Sequence, residues 1–148
     1  MSPVEVFYQD APFEVDAEQA IALAGDVIDG EQLAVENINI IFVNDAFLQD
    51  MHRDYLDDDT PTDIITFNLS EDEDNIPVEG ELYISLDRAQ EFAGQNGIDL
   101  TAEIARLVIH GILHLKGYDD RTPEDRQAMR QREDHYLGRN PKGISPLK

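Results

Sequence analysis

The chain contains no cysteine, few lysines and no long apolar run. Without cysteine no disulfide framework can form, which suits a reducing cytoplasm. No stretch approaches the roughly 18 consecutive apolar residues of a membrane span, and the acidic, interrupted N-terminus lacks the basic-then-apolar order of a secretory signal. These absences point to a soluble, cytoplasmic protein with no membrane partner. Internal repeats and a convincing linker are also missing. A length of 148 residues (1–148) is one domain's worth, able to bury roughly 70% of its unfolded surface around a single core.

Basic charge is scarce too. The formal net charge is −21, with 32 acidic residues against three lysines and eight arginines, and aspartate outnumbers glutamate 19 to 13. That balance resembles proteins of salt-accumulating organisms, whose acidic surfaces repel one another until salt screens them. A halophilic origin is therefore expected, and at about 1 M salt the screening length is near 3 Å. Such a charge is the opposite of the usual footprint of a nucleic-acid binder. It is unevenly spread, however. Residues 1–105 carry 26 of the acids and only Arg53 and Arg88 as bases, whereas residues 106–148 carry nine bases against six acids. Only this last stretch could attract a phosphate backbone. Its candidates are Arg106, Lys116, Arg121, Arg126, Arg130 and Arg132, for each of which a solvated helix face is the commoner role.

The same stretch contains HGILHLKGYDD at 110–120. Four residues advance a helix by slightly more than one turn, so His110 and His114 project from one face and can hold one metal ion. Gly117 can end that helix in the left-handed conformation, after which Asp120 can return as a third ligand. Asp119 competes with it by one residue. Three protein ligands and an open fourth position make a catalytic rather than a structural zinc pattern. The preceding residues Ile104, Leu107, Val108, Ile109, Ile112, Leu113 and Leu115 cover most of the helix, so it should be buried, with one polar stripe through Glu103, Arg106, His110 and His114. A bland pair of helix histidines satisfied by carboxylate or backbone partners is the competing reading. In zinc peptidases a glutamate base follows the first histidine; here that position is Gly111, which would let a backbone or a bulky substrate approach the metal face. Upstream, Thr62 and Asp63 form a polar pair at the mouth of an apolar strand, a place for functional groups or for ordinary turn chemistry. His52 and His135 read as structural or surface residues, and Met129 as core filling.

HGILHLKGYDD resembles the signature of the YbeY family of metal-dependent endoribonucleases, whose usual pattern is HGxLHLxGYDH. TPTDIITF at 60–67 resembles that family's PTD stretch, and GELYIS at 80–85 its next strand, so the likeness spans roughly residues 36–137. Asp120 stands where the family usually has histidine, and a carboxylate favours harder metals more than an imidazole does. Leu56 stands where the family commonly has arginine, so that arginine's role is not carried across. The resemblance implies one divalent ion per chain, zinc first, held by His110, His114 and Asp120. It further implies metal-assisted hydrolysis of single-stranded RNA, with Asp63 orienting water or ligand and Thr62, Arg106, Lys116 and Arg121 contacting substrate. The implied setting is rRNA processing, including 16S 3′-end maturation, with the ribosomal small subunit or its proteins as partners. Alternatives are a zincin-like metallopeptidase, a non-catalytic ribosome-assembly factor with a structural metal, and a small-molecule metallohydrolase.

The elements point to one compact α/β (α+β) domain: a small mixed four-stranded sheet packed by about five helices, with the metal site on a buried helix. Strands are expected at 4–8, 37–43, 63–69 and 81–85, the last two joined by the acidic loop SEDEDNIPVEG. Asp16 and Gln19 read as a capping box for a helix ending near Gly30. Asn44 or Asp45 caps a second, with Phe47, Leu48, Met51 and Tyr55 on one face. A third runs from about Leu86 to Gln95, followed by the metal helix. Thr122 and Pro123 start the last, ending near Gly138. The tail beyond about residue 138 is expected to be mobile.

Overall fold

NINIIFV is apolar on both sides of its pleat, and the strand it forms, β2 (Val35–Val43), lies inside the sheet with a neighbour on each side. The structure, a computed structural model, describes residues 3–56, 62–69, 77–118 and 120–147. Asp119, Thr60, Pro61 and positions 70–76 of the acidic loop lie outside the described residues, as does the side chain of Leu56. β1 (Val4–Gln9) and β4 (Val78–Ser85) flank β2 in parallel, and β3 (Ile64–Asn68) pairs antiparallel with β4, giving the order β1-β2-β4-β3. Ile40 faces Leu82 and Phe42 faces Ile84 in register. This is the expected small mixed sheet, and five helices pack on it: α1 (Ala17–Gly30), α2 (Asp45–Leu56), α3 (Leu86–Asn96), α4 (Leu100–Lys116) and α5 (Pro123–Arg139). No described helix is long and apolar enough to cross a membrane.

Alternation along the strands separates two cores. Ile38, Ile40, Phe42, Leu82 and Ile84 point toward α1 and α4, while Ile41, Val43 and Ile65 meet Leu48 of α2. Tyr55 keeps the face expected of it, beside Met51 and with its ring at 75° to that of Phe67, but near the end of α2 it is exposed. Asn44 rather than Asp45 caps α2, its side chain accepting from the Phe47 amide at 2.8 Å. Asp45 instead pairs with Arg88 on α3.

α4 is the central helix. Ile104, Ala105, Val108, Ile109, Ile112 and Leu113 are fully buried, because a helix that is apolar nearly all round has no face to give to water. It ends where Gly117 adopts φ +117°, a value that a side chain would strain, and the Gly117 and Tyr118 amides both return to the Leu113 carbonyl. Gly111 does not do what its place beside His110 suggested. It faces the sheet, not the metal face, and a Cβ there would stand 2.7 Å from Leu82 and 3.1 Å from Ile64. Its role is close approach of helix to sheet. A glutamate at this position would point into the core, so the peptidase pattern fails here for steric as well as chemical reasons.

The tail also differs from expectation. Ile144 is fully buried, its amide donates to Thr101 at the start of α4, and Pro146 bridges to Val15. Ser145 takes over half of the predicted capping box. Asp16 caps α1 through the Gln19 amide, but the Gln19 side chain accepts from the Ser145 amide at 2.7 Å, while the Asp16 amide donates to the Ser145 carbonyl. A short apolar anchor set between polar residues was read as loose because its partners are more than 40 residues away in sequence.

Gly111→Ala should destabilise the fold by about 1–3 kcal/mol, because Leu82 is fully buried and has nowhere to move, even though alanine is the better helix former. Urea unfolding measures it. An unchanged or raised midpoint would show that the helix and sheet can separate at no cost.

Candidate metal centre and adjoining cleft

α4 and the turn after it bring the predicted ligands together. The Nε2 atoms of His110 and His114 are 3.0 Å apart, and the Asp120 Oδ2 lies 3.6 Å from each. Among the described residues these three form the group able to share one ion. Ligands about 2.0–2.2 Å from a tetrahedral ion stand roughly 3.3–3.6 Å apart; the two distances to Asp120 match this, and the two imidazoles, at 3.0 Å, would open by about 0.3 Å to take a single zinc-sized cation.

The outer nitrogens fix which ring atoms face inward. His110 Nδ1 lies 2.7 Å from Glu133 Oε2, and His114 Nδ1 lies 3.0 Å from the Tyr118 carbonyl oxygen. Both partners are acceptors, so each Nδ1 carries the proton and each Nε2 presents a lone pair. Two lone pairs facing each other at 3.0 Å repel unless a proton or a cation lies between them. A carboxylate behind a ligand histidine is also the usual support of a metal site. Burial alone would lower the His110 pKa, but the hydrogen bond and charge of Glu133 outweigh it and raise it. The reciprocal balance holds Glu133 low: burial pushes it up, and His110 and Arg106 bring it below the usual carboxylate range.

Glu133 was not singled out in the sequence. Its signal was there, since it falls between Met129 and Tyr136 on the one buried stripe of α5, an acid where that helix is otherwise apolar. Arg106 is committed to it at 2.8 Å and to Asp134 at 3.2 Å, so its guanidinium braces α5 against α4. Arg132 is likewise engaged with Glu31 and Tyr136. Lys116 and Arg121 are exposed and line neither cavity beside the histidines.

Two cavities meet at the triad. One, of about 310 Å³, runs along α4 and α5 past Glu103, Met129 and Arg130; the other, of about 460 Å³, runs along β3 past Thr62, Thr66 and Asn68. Asp63, His110 and Asp120 line both. Asp63 thus stands beside the ligands, and burial raises its pKa against the opposing pull of His110 and Arg88. Thr62 lines the second cavity, yet its hydroxyl donates to the Ile64 carbonyl, which ties it to the strand entry. His52, expected to be structural or on the surface, also lines that cavity.

Glu103 is the least expected of these groups. It is buried, its Oε1 has no hydrogen-bond partner, and burial together with the nearby Asp63 charge lifts its pKa to about 7. A carboxyl that holds its proton more tightly when folded stabilises the fold fully below its unfolded pKa near 4.5, and that contribution is lost as pH rises toward 7. In chelated protein, Glu103→Gln should therefore gain on the wild type by roughly 3 kcal/mol between pH 4 and pH 8. Urea unfolding at the two pH values reads this difference; parallel pH dependence in both proteins would contradict it.

Comparison with known proteins agrees with the geometry. The family profile described as endoribonuclease YbeY matches residues 5–140. A protein of that name from Amoebophilus asiaticus is 39% identical over 132 residues, covering 88% of each chain. Another from Chlorobaculum tepidum is 44% identical over 113 residues, covering 76% of this chain and 80% of its own. The solution structure of TM1509 from Thermotoga maritima superposes with a TM-score of 0.63 at 23% identity, over 92% of this chain and 90% of that one, and shares the fold. A profile match over most of the chain and relatives at this level of identity establish that the protein belongs to the endoribonuclease YbeY family.

Proposed function

We propose that this protein is a metal-dependent endoribonuclease that cuts unpaired RNA, with one zinc ion per chain held by His110, His114 and Asp120. The observation that carries the reading is the convergence of two histidine Nε2 atoms and one carboxylate oxygen at the junction of two cavities. The chemistry supplied there, when a divalent ion is bound, is polarisation of the phosphodiester and acidification of water. Glu133 and the Tyr118 carbonyl keep both imidazoles turned toward the ion. Asp63 accepts a hydrogen bond from the attacking water and orients it. Thr62 holds the start of β3 so that Asp63 faces the ligands. A cleft that continues on both sides of the triad suits a flexible single strand passing through it better than a rigid duplex. The substrate in the cell is rRNA of the small ribosomal subunit, including the 16S 3′ end, and the ribosomal small subunit or its proteins are the partners, in the cytoplasm.

The purified protein at high salt should cleave an unpaired RNA oligomer, and both chelation and His114→Ala should abolish cleavage. Elemental analysis should find one zinc per chain in the wild type and little in the variant. Glu133→Gln should weaken metal affinity by about 10–100-fold. Cleavage that survives both the chelator and His114→Ala would rule out the metal mechanism.

The acidic surface fits a high-salt cytoplasm. With a net charge of −21, self-repulsion is large in dilute buffer and largely screened in molar salt. The melting temperature should rise from dilute buffer to molar KCl; greater stability in the dilute buffer would sink the halophilic assignment.

A further inference from the structure

The cavity between α4 and α5 contains more than the metal ligands require. Glu103 lies seven residues before His110, about two helical turns or 10 Å along the axis. Only 2% of it is exposed, and its Oε1 is buried without a partner while the residue lines the cavity. Buried polar atoms are nearly always paired, and an acceptor left open beside a cavity needs a reason. The surrounding residues supply one. Leu107 and Met129 give the cavity an apolar floor, Phe92 is 41% exposed at its edge, and Arg126 and Arg130 are exposed on its rim. An aromatic ring with an apolar floor suits the face of a nucleobase, and guanidinium groups suit the attached phosphate.

We propose that this cavity is a nucleobase subsite of the bound RNA, in which Glu103 accepts a hydrogen bond from the exocyclic amino group of the base. Cytosine, adenine and guanine carry such a group. Uracil does not, and it presents a carbonyl oxygen where cytosine presents the amine, so against the ionised Glu103 carboxylate it would set oxygen against oxygen. The subsite therefore selects against uracil at one position near the scissile bond. Phe92 supplies stacking that does not distinguish the bases, and the arginines hold the phosphate. The proposal rests on the endoribonuclease reading, and it assigns that enzyme a sequence preference.

The test uses the full-length, metal-loaded protein at high salt and about pH 8.5, where Glu103 is ionised, and unpaired oligomers in which cytosine is replaced by uracil at one position at a time around the cleavage site. The wild type should show a loss of roughly tenfold or more at one position and little elsewhere. Glu103→Gln, whose amide can turn to offer either an acceptor or a donor, should bring the two series together at that position. Phe92→Ala should slow both series alike. In a second measurement, cytidine monophosphate should shift the ring resonances of Phe92 in the wild type at concentrations where uridine monophosphate does not. Equal cleavage of all the oligomers by the wild type, or an unchanged ratio in Glu103→Gln, would overturn the subsite and leave the nuclease reading intact. Absence of any cleavage by the metal-loaded wild type would overturn the nuclease reading, and the subsite with it.

Discussion

The carboxylate of Glu133 joins the two helices on which the site depends. It is 5% exposed, and a carboxylate buried to that extent is tolerated only when its charge is met. It accepts from His110 through one oxygen and from Arg106 through the other, so a single group orients a metal ligand and fixes α5 against α4. α5 has no strong apolar face of its own and buries only Met129, Glu133 and Tyr136. Its C-terminal end is tied to α1 by the pairing of Arg139 with Asp26 at 2.9 Å, and its middle to the cap of α1, where Arg132 and the Tyr136 hydroxyl both donate to Glu31. Held at its middle and at its C-terminal end, the helix forms a fixed wall of the cavity beside the triad. The bland reading of the histidine pair, rings satisfied by carboxylate and backbone partners, was half right: those partners exist, but they occupy Nδ1 and leave both Nε2 atoms for a metal.

What was legible in the chain was what local periodicity encodes. The four strands, the helix caps at Thr122 and Asp16, the glycine stop at Gly117 and the four-residue spacing of His110 and His114 each follow from the residues within a turn or a strand. The misreadings all concern direction or distance. Gly111 was placed on the metal face by its neighbour in sequence, although one residue turns a helix by about 100° and carries it onto Leu82. The tail beyond residue 138 was read as loose because its polar character hid Ile144, whose pocket lies at the start of α4. Glu133 was passed over because its partners are 23 and 27 residues earlier, and nothing local marks a carboxylate as paired.

Charge followed the same logic. The excess of bases after residue 105 falls in the part of the chain that carries the candidate metal ligands, but it does not tell which cations face them. Arg106 and Arg132 spend their charge inside the protein, on Glu133 and Glu31. Arg126 and Arg130 line the cavity from the first half of α5, Arg126 also donating to the Asp120 and Arg121 carbonyls, which leaves its charge unneutralised. Attraction of an RNA strand would therefore be local, from two guanidinium groups and a bound ion. The remaining surface is acidic and repels phosphate unless salt screens it.

The acids around the triad are divided by their surroundings. Asp120 is the most exposed of the four and sits with the imidazoles. Glu133 is held low by two donors, so it stays charged and keeps His110 turned inward. Asp63 and Glu103 are raised by burial instead, each with too little compensating charge to offset it. Like charges crowded in one cleft cannot all ionise at the same pH, and environment decides which remain protonated. This separation gives the cleft one carboxylate held low by its donors, Glu133, and two carboxyls raised by burial, Asp63 and Glu103. Of these, Asp63 lines both cavities together with His110 and Asp120, and Glu103 stands about two helical turns from His110. The two raised acids therefore differ in what they face: Asp63 lines both cavities beside the ligands, whereas Glu103 lines only the one between α4 and α5, with its Oε1 unpaired.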